Sequence, residues 1–162
     1  MEKPTITKED IEIRVIYIRF KGTYSEFRKS SRKLFNDLFQ FAKENDLIEE
    51  GITKVLTIYH DNPFITDEKN LRTSVALTVP KDALLKEEGQ VCSMVISGQY
   101  AVLHYELLLG EYEEAWQYAY ADWLLKSETE KPRDSIPFEL YVNEPPKNFK
   151  DKSLTDIYIP VE

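Results

Sequence analysis

Cysteine is almost missing from this chain of 162 residues; Cys92 stands alone, which excludes an intrachain disulfide and a cysteine-built zinc cluster. No basic residue or histidine neighbours it in sequence to favour a thiolate, so it is not read as a nucleophile. Histidine is nearly as scarce. His60 and His104 fall in no HExxH or His-x-His spacing, so they read as a turn residue and a strand residue, and no metal site is expected. No Gly-x-Ser-x-Gly elbow, P-loop or dinucleotide fingerprint occurs, and no cofactor is implied. Apolar runs fall well short of the roughly 20 residues of a membrane-spanning helix. The opening Met1-Glu2-Lys3-Pro4 lacks the apolar stretch of a secretory signal. Basic residues are outnumbered 21 to 29, and the net charge of −8 argues against direct binding of nucleic acid. The expectation is a single cytoplasmic domain over residues 1–162, long enough to bury a core without staples. What the chain does have is tyrosine: ten, against five glycines.

Punctuation organises the rest. Ile11 to Phe20 is β-branched and aromatic with interleaved charges, which predicts a strand broken at Gly22. From Tyr24, apolar or small residues recur at Phe27, Ser31, Leu34, Leu38, Phe41 and Ala42, one stripe at helical spacing that ends near Asn45-Asp46 and Gly51. Lys54 to His60 and Arg72 to Val79 read as strands, stopped at Asp61-Asn62-Pro63 and at Pro80. The second half repeats this order. A strand over Gln99 to Leu109 breaks at Gly110, a helix follows from Tyr112 to Lys126, and strands cover Phe138 to Val142 and Leu154 to Ile159. Asn143-Glu144-Pro145-Pro146 and Pro160 stop the last two.

The two halves share Gly-x-Tyr before the helix (Gly22-Thr23-Tyr24 and Gly110-Glu111-Tyr112), and each has a strand ending Tyr-x-x-x-Pro (Tyr59 to Pro63 and Tyr141 to Pro145). Each also closes on a strand that finishes at proline. Shared punctuation in the same order predicts an α+β fold of tandem β-α-β-β units, about 11–80 and 91–161, related by a pseudo-two-fold. One mostly antiparallel sheet would carry two long helices on one face.

Strand alternation over Pro137-Phe138-Glu139-Leu140-Tyr141 points Phe138, Leu140 and Val142 one way and Glu139 and Tyr141 the other. Glu139 is then either a solvated strand residue or a desolvated carboxylate beside a tyrosine. In the second case an aromatic-lined pocket with one acid suits a lipophilic cation, and the same arrangement could serve general acid–base work. The helix from Tyr112 sets Trp116, Tyr120 and Trp123 in one stripe. Such a stripe fills a core or walls a cleft, because the polar tips of Trp and Tyr need partners.

These motifs resemble the gyrase-inhibitor-like (GyrI-like) small-molecule-binding domain, which is also the effector-binding domain of AraC-type and MerR-type multidrug regulators. The residues carrying the resemblance are Gly98-Gln99-Tyr100-Ala101-Val102, Gly110-Glu111-Tyr112, Trp123-Leu124, Phe138-Glu139-Leu140-Tyr141 and Leu154 to Pro160. Tyr17, Gly22-Thr23-Tyr24, Tyr59 to Pro63 and Leu71-Arg72 carry it in the first half. The resemblance implies a tandem strand-helix-strand-strand fold and a lipophilic, often cationic ligand in an aromatic cleft. It carries the ligand-meeting glutamate to Glu139, with Tyr17, Tyr59, Tyr100, Tyr112, Trp116, Trp123, Tyr141 and Tyr158 as candidate aromatic partners. It also implies two alternatives: a hydrolase of strained electrophiles using Glu139, and a partner of gyrase or of a separate regulator. Ser74 stands where the family often has aspartate, and fewer than a dozen residues precede the first predicted strand, so the chain resembles a stand-alone form without a helix-turn-helix.

Overall fold

In a computed structural model, which describes residues 1–85, 89–145 and 148–162, the chain is α+β and every strand pairing within its compact units is antiparallel. The elements in order are β1 (Thr5–Lys21), α1 (Tyr24–Glu44), β2 (Val55–Tyr59), β3 (Arg72–Val79), β4 (Val91–Leu107), α2 (Tyr112–Gln117) with a π-helical continuation (Tyr118–Leu124), β5 (Phe138–Tyr141) and β6 (Ser153–Pro160). Two compact units divide them: Glu12–Ser97, and Met1–Ile11 together with Gly98–Glu162. Pro146, one of the expected strand stops, lies outside the described residues.

In the Glu12–Ser97 unit, β3 lies between β1 and β2, with Ile18 opposite Val75 and Thr57 opposite Val75 from the other side. Alternation sends Ile16, Ile18, Val75, Leu77 and Val79 to the face that packs on α1 through Phe27, Leu38 and Ala42. The helix starts where the Gly-x-Tyr motif places it. Thr23 accepts the Glu26 N–H at 3.1 Å while the Glu26 carboxylate accepts the Thr23 N–H at 3.1 Å, a reciprocal cap. Asn45 closes the other end, its amide donating to the Phe41 carbonyl.

The second unit repeats the plan. Here β6 lies between β4 and β5, with Leu103 and Glu139 both opposite Ile157. Ala101, Leu103, Tyr105, Ile157 and Ile159 pack against Ala115, Ala119 and Leu124 of the helical segment. The tandem β-α-β-β reading therefore holds.

The structure differs from the sequence expectation in two places. The helix expected through Lys126 is α-helical for six residues and then π-helical for seven, with the Leu125 N–H bonded to the Tyr120 carbonyl five residues back. The buried positions accordingly run Ala115, Ala119, Leu124, a step of four and then of five. An α-helix would have placed Trp123 where Leu124 sits. The outer strands are also longer than expected, β1 beginning at Thr5 and β4 at Val91. Gly98 lies inside β4 at φ +111°, and a Cβ there would stand 2.8 Å from the Arg133 guanidinium. A left-handed φ and this close approach both require glycine, so Gly98 marks a crossing of side chain over strand and does not end the strand.

Candidate functional site

Glu139 sits on β5 opposite Ile157, on the face that meets the helical segment, and is only 3% exposed. Its Oε1 accepts the Trp116 indole N–H at 2.6 Å, and its Oε2 accepts the Tyr141 hydroxyl at 2.8 Å. Burying a carboxylate costs several kcal/mol unless donors meet it, and here ring-borne donors engage both oxygens. The α2 geometry supplies one of them. Trp116 lies one residue after Ala115, which is buried in the core against β4 and β6, and its indole N–H reaches Glu139 on β5. Strand alternation supplies the other, because Tyr141 is two residues from Glu139.

Around this pair, Trp116 stacks on Tyr120 with ring centres 6.1 Å apart and planes 18° from parallel. The Tyr112 hydroxyl meets Thr155 Oγ1 at 2.6 Å, and Thr155 pairs with Tyr141 across β5 and β6. Burial pushes the Tyr112 phenol up to about 12, and the Glu139 charge works in the same direction, against the Thr155 hydrogen bond. Burial likewise pushes Tyr120 up to about 12. Both phenols are therefore neutral hydrogen-bonding groups at physiological pH.

The other candidates fall elsewhere. Trp123 is half-buried on the π-helical turn and packs against the same core. Tyr100 faces away from the helical segment: it is fully buried, donates to the Ile136 carbonyl at 2.8 Å, and packs against Phe138 and Tyr158. Tyr158 stacks on Phe138 at 4.5 Å, and the Arg133 guanidinium lies 5.1 Å from the Tyr100 ring centre. Tyr17 and Tyr59 belong to the Glu12–Ser97 unit, Tyr59 in an edge-on contact with Tyr24 at 5.8 Å and Tyr17 beside His60 at 5.9 Å. His60 Nε2 in turn meets Ser74 Oγ at 2.6 Å, so the position where an aspartate is common holds a histidine partner. Asp61 binds Arg72 through Nε and Nη2 at 2.9 and 2.7 Å, which holds the Asp61 carboxyl below its ordinary range.

The duplication sharpens what is special about Glu139. Tyr59 opposite Thr73 corresponds to Tyr141 opposite Thr155, and two residues before each tyrosine stand Thr57 and Glu139, both buried. One copy thus keeps a neutral hydroxyl where the other carries an acid. Sequence reasoning missed Thr155 as the partner of Tyr112; the matching Thr73 in the first repeat was the available signal.

The site is thus a buried acid among aromatic donors on a fold of tandem β-α-β-β units. The family model of the GyrI-like small molecule binding domain matches residues 2–162, and the chain belongs to that family. It is 33% identical over 110 residues to DNA gyrase inhibitor 2 of Dickeya dadantii, covering 67% of each chain. It is 25% identical over 119 residues to the DNA gyrase inhibitor of Escherichia coli K12, covering 72% of this chain and 73% of that one. Among solved structures, the EcmrR C-terminal domain superposes with a TM-score of 0.73 over 98% of both chains at 22% identity. SAV2435, solved bound to tetraphenylphosphonium, superposes at 0.63 with 12% identity, covering 98% of this chain and 94% of that one. No helix among the described residues is long and apolar enough to cross a membrane.

Proposed function

We propose that this domain senses or sequesters lipophilic cations, with Glu139 as counter-charge and Trp116, Tyr112 and Tyr141 as the aromatic surround. The observation that carries this reading is the burial of the Glu139 carboxylate against ring-borne donors. A cation whose charge is spread over a large apolar body sheds water cheaply, is drawn to ring faces, and is neutralised by a carboxylate. The bound tetraphenylphosphonium of SAV2435, a protein of the same fold, is a ligand of this class and supports the reading.

The test is calorimetric titration with tetraphenylphosphonium and with uncharged triphenylphosphine oxide. Glu139→Gln is expected to weaken the cation by about 1–3 kcal/mol, the scale of a lost charge-assisted contact, and to leave the neutral compound unmoved. Equal affinities for the two compounds, unchanged by the substitution, would overturn the proposal. Turnover of strained-ring electrophiles that disappears in the same variant would assign Glu139 to hydrolysis instead.

The relatives named as DNA gyrase inhibitors favour a second reading, in which this chain engages gyrase. With a net charge of −8, such binding should weaken with salt. Supercoiling that continues unchanged at micromolar protein and low salt would count against it.

A further inference from the structure

We propose that Thr7, His104 and Asp156 form an acyl-transfer site, with Thr7 as the nucleophile toward neutral or cationic esters of small apolar acids. His104 lies on β4 directly opposite Asp156 on β6, and its Nδ1 is 2.8 Å from Asp156 Oδ1. Its other ring nitrogen, Nε2, is 2.8 Å from Thr7 Oγ1 on β1. A carboxylate can only accept, so Asp156 fixes the proton on Nδ1 and leaves the Nε2 lone pair to receive the Thr7 hydroxyl proton. A hydroxyl, a base and a group that orients the base, each within hydrogen-bond reach of the next, is the arrangement that activates an alcohol for attack on an acyl carbon.

The three side chains lie apart from Glu139. On β4 and β6 the residues facing the helical segment are Leu103, Tyr105, Thr155 and Ile157, and His104 and Asp156 alternate to the opposite face. Thr7 is exposed, and His104 and Asp156 line an open cavity of about 420 Å³. Val142 and Leu154 give that cavity apolar wall, being 37% and 41% exposed, while Glu2 and Glu106 outweigh Lys3 in charge. An acidic rim with apolar wall disfavours anionic esters and accepts neutral or cationic ones.

In the step, Thr7 Oγ bonds to the ester carbonyl carbon as its proton passes to His104 Nε2. The tetrahedral adduct then expels the alcohol, which takes that proton, and leaves acyl-Thr7. Water, deprotonated by the same nitrogen, hydrolyses the acyl-enzyme and returns the proton to Thr7.

The experiment treats the whole chain with p-nitrophenyl acetate, follows nitrophenolate release, and locates the acetyl group by peptide mass mapping. Acetyl is expected on Thr7, and Thr7→Val and His104→Ala should slow the release at least about tenfold, the lower range for loss of a positioned nucleophile or base. Asp156→Asn should slow it as well, Thr7→Ser, which retains a hydroxyl, should carry the acetyl group at the same position, and Cys92→Ser should not alter the release. Circular dichroism melts of each variant separate a lost site from a lost fold. Acetyl found on Lys3, Lys8 or the terminal amine, or equal release by Thr7→Val and the parent protein, would overturn the proposal.

Discussion

The indole N–H of Trp116 ends on Oε1 of Glu139 at 2.6 Å, joining the helical segment to β5 by a hydrogen bond to a buried acid. Trp116→Phe keeps a large ring and removes the donor. Leaving a buried acceptor short of a partner costs about 1–3 kcal/mol. We expect urea unfolding to show that loss for Trp116→Phe alone, and a smaller loss when Glu139 is already Gln. A double-mutant coupling below about 0.5 kcal/mol would show that the bond contributes nothing specific.

His60 gives the first unit a pH-dependent stability. Burial, reinforced by Arg19 and Arg72, pushes its imidazole down to about 4. An unfolded chain takes up that proton near pH 6.5, so between about 6.5 and 4 the unfolded state binds more protons and folding weakens as the pH falls. Melting temperatures measured from pH 7 to pH 4 should drop across this window. His60→Asn should flatten the drop while keeping a polar group near Ser74. A variant whose acid slope matches the parent would assign the slope to other groups.

Gly98 and Arg133 form a second linked pair. The Arg133 side chain donates to the carbonyls of Gln99 and Val161 while its guanidinium crosses the glycine. Gly98→Ala places a methyl group against it at a left-handed φ of +111°, and a loss of about 1–3 kcal/mol is expected from strain of that kind. Placing the same substitution in an Arg133→Ala background removes the clash and leaves only the backbone strain, so the two losses should sum to less than additive. Strict additivity in chemical unfolding would show that the guanidinium yields freely.

These residues also show what the amino-acid order could and could not convey. The tandem β-α-β-β plan was legible because Gly22-Thr23-Tyr24, Gly110-Glu111-Tyr112 and the strand-ending prolines are local signals of backbone geometry. Glu139 was legible as a candidate because alternation is local too, but its burial depends on Trp116, 23 positions away. The extension of β4 back to Val91 was not legible, because a glycine such as Gly98 looks the same in sequence whether a strand starts after it or runs through it while Arg133 crosses over. The relation of Thr7, His104 and Asp156 spans 97 and 52 positions, and no spacing rule reaches that far. The π-helical turn was invisible because Trp123 and Leu124 are both apolar, and only the packing shows which of them faces the sheet.

That last distinction can be measured. Leu124 is 2% exposed and belongs to the buried core, whereas Trp123 is half-buried although it is the larger residue. Were the segment α-helical throughout, Trp123 would be the core residue and Leu124 would turn outward. With the π-helical turn, Leu124→Ala removes a fully packed side chain and should cost about 2–5 kcal/mol. Trp123→Leu, which keeps an apolar contact at a partly exposed position, should cost less than half as much. Equal losses, or a reversed order in urea denaturation, would place Trp123 in the core and restore the α-helical register through Leu124.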